Sequence, residues 1–353
     1  MIYTQTYLLI LFTLLCIAYI FDYRGFYKKQ GYNVPKNIVL ISISICLILI
    51  SMFRSPTMAD YEPYIEDFQY KDDAAEPLFI LIRKLALFLS KKNVGIWGIY
   101  IFALVSITLK INFFKKYISY FIPAILVYIS RVFVEQDMIA IRAGLSTSFA
   151  LYSIYYRSQS DRCRCLVYFI CAVCAHYSAL LFVFVPFMNP KKSYAYQYLV
   201  GLLLSYVMIV FGVQLGSYLN VVHINVILNK LDTYTFDDTY NAFNLLQMGH
   251  VFVCVSCWYI QKKKLKDAVL IDGINGSAFL RAYTIGCIAG AIFSDIVSIA
   301  IRSSQLLFTM DVVIIPLYFR YISKNPFIQR LSVVSYSVVI FIITMMDEFF
   351  WHP

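Results

Sequence analysis

Apolar runs of about 16 to 24 residues recur from residue 5 to residue 346, with short basic clusters between them. In helical form, a run of this length spans the roughly 30 Å hydrocarbon core of a bilayer. Lipid supplies no hydrogen-bond partners for backbone groups, so such runs must satisfy their own, as helices do. Hydrophobic residues make up 61% of the 353 and charged residues only 14%, against about 25% charged in soluble domains. The sequence therefore predicts an all-α polytopic membrane protein of about 12 transmembrane helices, folded as one membrane domain over residues 1–353. The net charge of +10 marks cytoplasmic loops in such a chain; no nucleic-acid partner is implied.

The basic clusters set the orientation. Residues 5–21 form the first span, with no positive n-region and no small-residue cleavage site of a signal peptide. Arg24, Lys28, Lys29 and Lys36 follow it, which puts the N-terminus outside. Span two (about 37–53) returns outward to a first outer loop (about 54–93). That loop carries seven acids between Asp60 and Glu76 against one base, Lys71. Within it, Pro77 to Ser90 is too short to cross and is placed as an interfacial helix. Span three (about 94–113) runs inward to Lys110, Lys115 and Lys116. Spans four (about 118–135) and five (about 138–156) go out and back, to Arg157, Arg162 and Arg164.

A parity argument applies after Cys165. If the run up to Lys191-Lys192 crossed once, those lysines and the later Lys262-Lys263-Lys264 cluster would both lie outside. A break at His176 brings both clusters inside, so His176 is expected at the outer tip of a hairpin or of a re-entrant loop. Span eight (about 194–215) exits to a second outer loop (about 216–244) carrying His223, Asp232, Asp237 and Asp238. Spans nine (about 245–260), ten (about 276–298), eleven (about 303–319) and twelve (about 331–346) leave the C-terminus outside as well.

Against this frame, Arg142 lies within an apolar run (Met138 to Tyr156), where an unpaired charge costs at least ~2.5 kcal/mol. Small residues accompany it at Gly144, Ser146, Thr147 and Ser148, a composition suited to close helix packing around a cavity. Arg142 is expected about four residues into span five. Arg54, at the end of span two, and Arg302, at the start of span eleven, fall at the same depth, although each also fits a snorkelling anchor. The hairpin tip adds His176, and the first loop adds Asp60, Tyr61, Tyr64 and Glu76. Arg131 shares the depth but has Glu135 one turn on, which points to a structural ion pair. Arg281 falls toward the cytoplasmic end and is left out of the group.

Guanidinium forks match phosphate oxygens and stay charged. A lipid pyrophosphate would place its headgroup at this level and its tail between spans, and a departing pyrophosphate could be stabilised there without a metal. A histidine or carboxylate beside it could take a proton from an incoming hydroxyl. The nine cysteines include Cys171-x-x-Cys174 and Cys254-x-x-Cys257, but both pairs lie in apolar runs without a matching His or acidic cluster. They are taken as packing residues, with no disulfide, metal site or cofactor assigned.

At these residues the chain resembles the EpsG family of Wzy-type polysaccharide polymerases. The matching stretches are Phe53-Arg54 with Asp60-Tyr61-x-x-Tyr64 and Phe68, then Glu76-Pro77-Leu78-Phe79 and Ile141-Arg142-Ala143-Gly144. Ala175-His176-Tyr177-Ser178-Ala179-Leu180 and Ile301-Arg302 complete the set. They keep family order over roughly residues 50 to 320, and Ala143 stands where the family usually has a polar residue. The resemblance implies a GT-C-like glycosyltransferase that joins oligosaccharide repeat units carried on undecaprenyl pyrophosphate, outside the plasma membrane and without a metal. Its product would be O-antigen (a part of lipopolysaccharide), capsule or exopolysaccharide. By carry-over, Arg54, Arg142 and Arg302 would hold the donor's pyrophosphate. His176, or else Asp60 or Glu76, would be the base. Apart from the resemblance, the flat faces of Tyr61 and Tyr64 in the acidic, aromatic first loop suit contacts with sugars. Partners would be the lipid-linked donor and acceptor, membrane lipids, a chain-length regulator and a flippase.

Two other classes share some of these features. A lipid-linked oligosaccharide flippase also needs basic residues, but it should show two related halves and charges reaching both faces. A membrane O-acyltransferase should hold its reactive histidine and arginine near a cytoplasmic entry, whereas His176 faces outward here. Topology can be checked directly. In a cysteine-free background, a Ser178→Cys variant should react with an impermeant maleimide added to intact spheroplasts; labelling only after lysis would reverse the assignment.

Overall fold

The computed structural model describes residues 2–21, 33–70, 76–118, 121–190, 192, 194–213, 241–264 and 276–346. Within them the chain is helical, with no strand. Most of the second outer loop, including His223, Asp232, Asp237 and Asp238, lies outside the described residues, as do Lys71, Asp72 and Asp73.

The elements in order are α1 (Ile2–Ile20), α2 (Asn33–Met52), α3 (Tyr61–Tyr70), α4 (Pro77–Leu89), α5 (Val94–Tyr117) and α6 (Phe121–Val127). A π-helical segment, Tyr128–Ile139, continues α6. Next come α7 (Ile141–Ser158), α8 (Arg162–Ala175) and two 3₁₀ turns, Tyr177–Phe182 and Val185–Phe187. The last six are α9 (Ala195–Val210), α10 (Leu245–Lys264), α11 (Gly276–Ile292), α12 (Val297–Phe308), α13 (Asp311–Ile322) and α14 (Pro326–Met346).

Among the described residues, two helices, α5 and α14, are long and apolar enough to cross a bilayer alone. Six shorter apolar helices accompany them, together with a pair, Ile299–Phe308 and Asp311–Ile322, that meets the length only as one span bent by 58°. This architecture fits a polytopic membrane protein. The bend falls within the stretch expected as span eleven (about 303–319). Hydroxyls of Ser303 and Ser304 bond back to carbonyls of Ile299 and Ala300, and Thr309 Oγ1 accepts from Gln136 Nε2 at 2.7 Å. Side-chain bonds of this kind loosen a helix and favour a kink. Arg302 is therefore inside α12, exposed in its second turn, rather than at the head of a long span.

The expected short helix after the acidic loop is present as α4, with Pro77 at its first position, where the missing N–H costs nothing. Together α3 and α4 build a second, smaller core against α5, α7 and the end of α8. Phe68 stacks on Phe79 with centroids 4.5 Å apart, and its ring lies over Gly98. A Cβ on Gly98 would come within 2.5 Å of that ring, so the glycine is what lets α3 lie on α5.

The π segment organises the main core. Lys110 and Asp137 are fully buried and form an ion pair at 2.6 Å. This corrects the reading of Lys110 as a cytoplasmic marker: its charge points into the protein. Lys110 Nζ also donates to Gly144 O at 2.9 Å, while Tyr128 donates to Asp137 Oδ2 at 2.7 Å and Ser106 donates to Oδ1. Gly144 sits so close to the segment that a Cβ would meet Gln136 O at 2.5 Å. The small residues of α7 therefore seat it on the π segment; Ser146, Thr147 and Ser148 are all buried there. The expected Arg131–Glu135 pair is present at 2.6 Å. Arg131 also reaches His250, which bonds Tyr283 and faces Asp311 at 3.6 Å.

Breaking a buried ion pair from one side leaves an uncompensated charge, at a cost of about 3–5 kcal/mol. Lys110→Met should therefore sharply lower the melting temperature of the detergent-purified protein, and adding Asp137→Asn should restore most of the loss. If the double variant were as unstable as the single one, the ion pair would not be what holds the segment.

Candidate active site

Three helix ends meet at one point. Arg142 is the second residue of α7, Glu76 precedes Pro77 at the start of α4, and His176 follows Ala175 at the end of α8. The π segment runs to Ile139 and the break falls at Ala140. Arg142 thus lies in the first turn of its helix rather than four residues into it.

Glu76 is the centre of the group. It stands at the cap position of α4 but makes no side-chain bond to that helix. Its Oε1 lies 2.6 Å from His176 Nδ1 and its Oε2 lies 3.2 Å from Arg142 Nη1. The carboxylate is buried, while the side chains of Arg142 and His176 are each 27% exposed. Burial alone would raise the Glu76 pKa, but the His176 hydrogen bond and the Arg142 charge outweigh it and hold the group at about 2. With Nδ1 turned to Glu76, the other ring nitrogen of His176, Nε2, is on the far side of the ring. That geometry suits an imidazole that donates from Nδ1 and takes a proton at Nε2.

Arg142 has further neighbours. Asp67 Oδ2 lies 3.8 Å from Nη2, and the rings of Tyr64 and Phe79 lie 5.4 and 5.5 Å from the guanidinium carbon. Its Nε is buried without a partner. Asp67 was not singled out from the sequence. Its position three residues after Tyr64, on one face of α3, is the signal that could have found it.

Arg54 shares this region. Its Nη1 donates to Met138 O, four residues before Arg142, and its guanidinium lies 5.6 Å from the centre of the Tyr61 ring. Nε and Nη2 are buried without partners. Burial pushes the Arg54 pKa down to about 10, against the pull of Tyr64, Tyr61 and Asp60, so the group stays charged near neutrality. Tyr64 feels both arginines. Burial raises the pKa of its hydroxyl, and Arg142 and Arg54 both oppose that rise.

The remaining expected residues are placed as follows. Asp60 is exposed in the turn before α3, with a left-handed backbone (φ 62°) that aspartate tolerates; it influences Arg54 without a hydrogen bond to it. Tyr61 and Tyr64 offer their ring faces to Arg54 and Arg142. Arg302 is on α12, which packs along the 3₁₀ turn that follows His176. The chain does break at His176, but short 3₁₀ turns succeed α8 in place of another regular helix. No group of three or more His, Cys, Asp or Glu capable of holding a metal occurs among the described residues.

Compared with known proteins, the chain matches the model of the EpsG family over residues 36–352. No curated protein and no solved structure matches it.

The Glu76 shift has a signed consequence. Folding lowers its pKa from 4.5 to about 2, so the unfolded chain binds the proton more readily. The stability this contributes is fully present above pH 4.5 and is lost as pH falls toward 2. Glu76→Gln should lower stability at pH 7 by about 1–3 kcal/mol. Its melting temperature should also fall less than that of the wild type between pH 5 and pH 3. Parallel curves for the two proteins would show that Glu76 carries no such linkage.

Proposed function

Since the chain belongs to the EpsG family, we propose that it polymerises oligosaccharide repeat units carried on undecaprenyl pyrophosphate at the outer face of the plasma membrane. Family membership supports a polysaccharide-polymerase role. The observation that carries the finer reading is that one buried carboxylate, Glu76, binds both His176 and Arg142. All three belong to the stretches that carry the family pattern. In this reading the short apolar helices cross by tilt and local thinning of the bilayer, giving about twelve crossings in a GT-C-like arrangement with both termini outside.

The acceptor hydroxyl gives its proton to His176 Nε2 while its oxygen attacks the anomeric carbon of the donor chain. The bond from that carbon to the pyrophosphate oxygen breaks, and lipid pyrophosphate leaves with the electron pair, with inversion at the carbon. Glu76 is a positioning residue: it fixes the histidine tautomer and stabilises the imidazolium that forms. This assigns the base to His176 ahead of Glu76, which is already bound on both oxygens, and of Asp60, which stands apart in the turn before α3.

The developing negative charge on the pyrophosphate is met by guanidinium groups, so the reaction is read as metal-independent. On Arg54 both Nε and Nη2 lack partners, and on Arg142 Nε lacks one. In a guanidinium these two nitrogens form the side-on fork that binds two phosphate oxygens at once. Arg302, on the helix beside the turn after His176, would add a third positive charge from the opposite wall. Tyr61 and the acidic residues of the first outer loop would meet the sugars.

Arg142→Ala should abolish chain lengthening while single repeat units still reach the cell surface, seen as a one-unit band on a polysaccharide gel. Arg142→Lys keeps the charge beside Glu76 but loses the fork, and should also fail at unchanged membrane protein levels. Normal-length polymer from Arg142→Ala would remove Arg142 from catalysis. Loss of all surface sugar in a deletion strain would favour export over polymerisation.

A further inference from the structure

At the other end of α7 the chain holds a second arginine pair that the proposed reaction does not use. Arg142 and Arg157 are fifteen residues apart on one helix, about 22 Å at the helical rise. Arg157 thus lies at the end of the bundle away from Glu76 and His176. The neighbouring α11 packs on α7 and brings Arg281 to this end. Arg281 is 1% exposed, one of the most deeply buried charged residues in the protein.

Its surroundings do not neutralise it. Nη1 donates to Asn189 O at 2.8 Å, and the Tyr194 ring lies 5.4 Å from the guanidinium carbon. Nε and Nη2 are buried and have no partner. The charged group that acts on it is another cation, Arg157, whose own Nε is also buried and unpartnered. Among the described residues, no carboxylate pairs with Arg281. A buried cation normally finds an acid, as Lys110 and Arg131 do in this protein. Here a second positive charge, Arg157, acts on the buried one, and the buried one keeps its side-on fork open.

We propose that Arg281 and Arg157 form a second anion site, for a phosphate group, at the end of the bundle opposite Glu76. The planar fork of Arg281 takes two phosphate oxygens, and Arg157 supplies the second charge. The Tyr194 ring covers one face of the guanidinium. The phosphate would come from the headgroup of a lipid in the adjoining leaflet or from solution, and the two sources separate by experiment.

The test uses the full chain purified in detergent. Inorganic phosphate is titrated against the melting temperature. Separately, native mass spectrometry counts retained phosphatidylglycerol, with diacylglycerol as the phosphate-free control. Saturable stabilisation by inorganic phosphate without lipid retention assigns the site to free phosphate, and retention of phosphatidylglycerol alone assigns it to a headgroup. In either case Arg281→Gln and Arg157→Gln should weaken binding about tenfold, as expected for loss of a charged hydrogen bond. Arg157 is only partly buried, so its variant carries the test if Arg281→Gln does not fold. Phosphate bound at Arg54 and Arg142 would persist in the Arg157→Gln protein, so the comparison reads the far site alone. Absence of binding by both probes, or undiminished binding in Arg157→Gln, overturns the proposal.

Discussion

The buried pairing of Lys110 with Asp137 is the interaction on which the arrangement of the site depends. Taking both charges out of water costs several kcal/mol per ion, and their attraction offsets this only when the remaining donors and acceptors are filled. Here they are filled: Tyr128 and Ser106 donate to the carboxylate, and Gly144 O accepts from the ammonium. These bonds fix the π segment between α5 and α7. The segment in turn presents Met138 O to Arg54, Asp137 O to Ser51 and Gln136 to both Thr147 and Thr309. A π-helix is a costly conformation that tends to persist where function or packing demands it. In this chain it aligns the end of α2 with the start of α7, and so sets Arg54 beside Arg142.

Glu76 then does for the smaller core what Asp137 does for the larger one. Both are buried carboxylates that tie together groups from distant parts of the sequence. Their partners differ in a way that matters chemically. Lys110 is fully enclosed and its donors are taken, which suits a structural tie. Arg142 and His176 remain 27% exposed, and each has a nitrogen that its protein partners do not use. Low polarity around Glu76 strengthens both bonds, while the open edges face the space a substrate would enter.

How much of this was legible in the sequence follows from what each signal encodes. Residue type and membrane depth are carried by hydropathy and by basic clusters, so Arg54, Arg142, His176 and Glu76 stood out without coordinates. The Arg131–Glu135 pair was legible because four-residue spacing on a helix is a local rule. The Lys110–Asp137 pair was not, because its members are 27 residues apart and meet only once α5 and the π segment pack. Lys110 looked cytoplasmic since it precedes Lys115 and Lys116, and hydropathy does not register which way one side chain turns. The π segment was also invisible: its widened turns move the break from Asp137 to Ala140, and no residue pattern in Tyr128–Ile139 announces them. The bend at Thr309 and Met310 depends on a hydrogen bond from Gln136, 173 residues away.

The two arginine groups at the ends of α7 are not electrostatic equals. The N-terminus of a helix carries about half a positive charge and its C-terminus about half a negative one. Arg142 lies in the first turn of α7 and Arg157 in the last. At the Glu76 end, the helix therefore adds to the positive potential that Arg54 and Arg142 create, and an anion there is favoured by backbone and side chains together. At the far end, the helix partly offsets Arg157, so attraction for an anion rests on Arg281. Arg281 is buried, where salt screens poorly, so that attraction is short in range but persistent. A single helix thus sets two unequal environments for an anion: one in which backbone and side chains add, and one that rests on a single buried guanidinium.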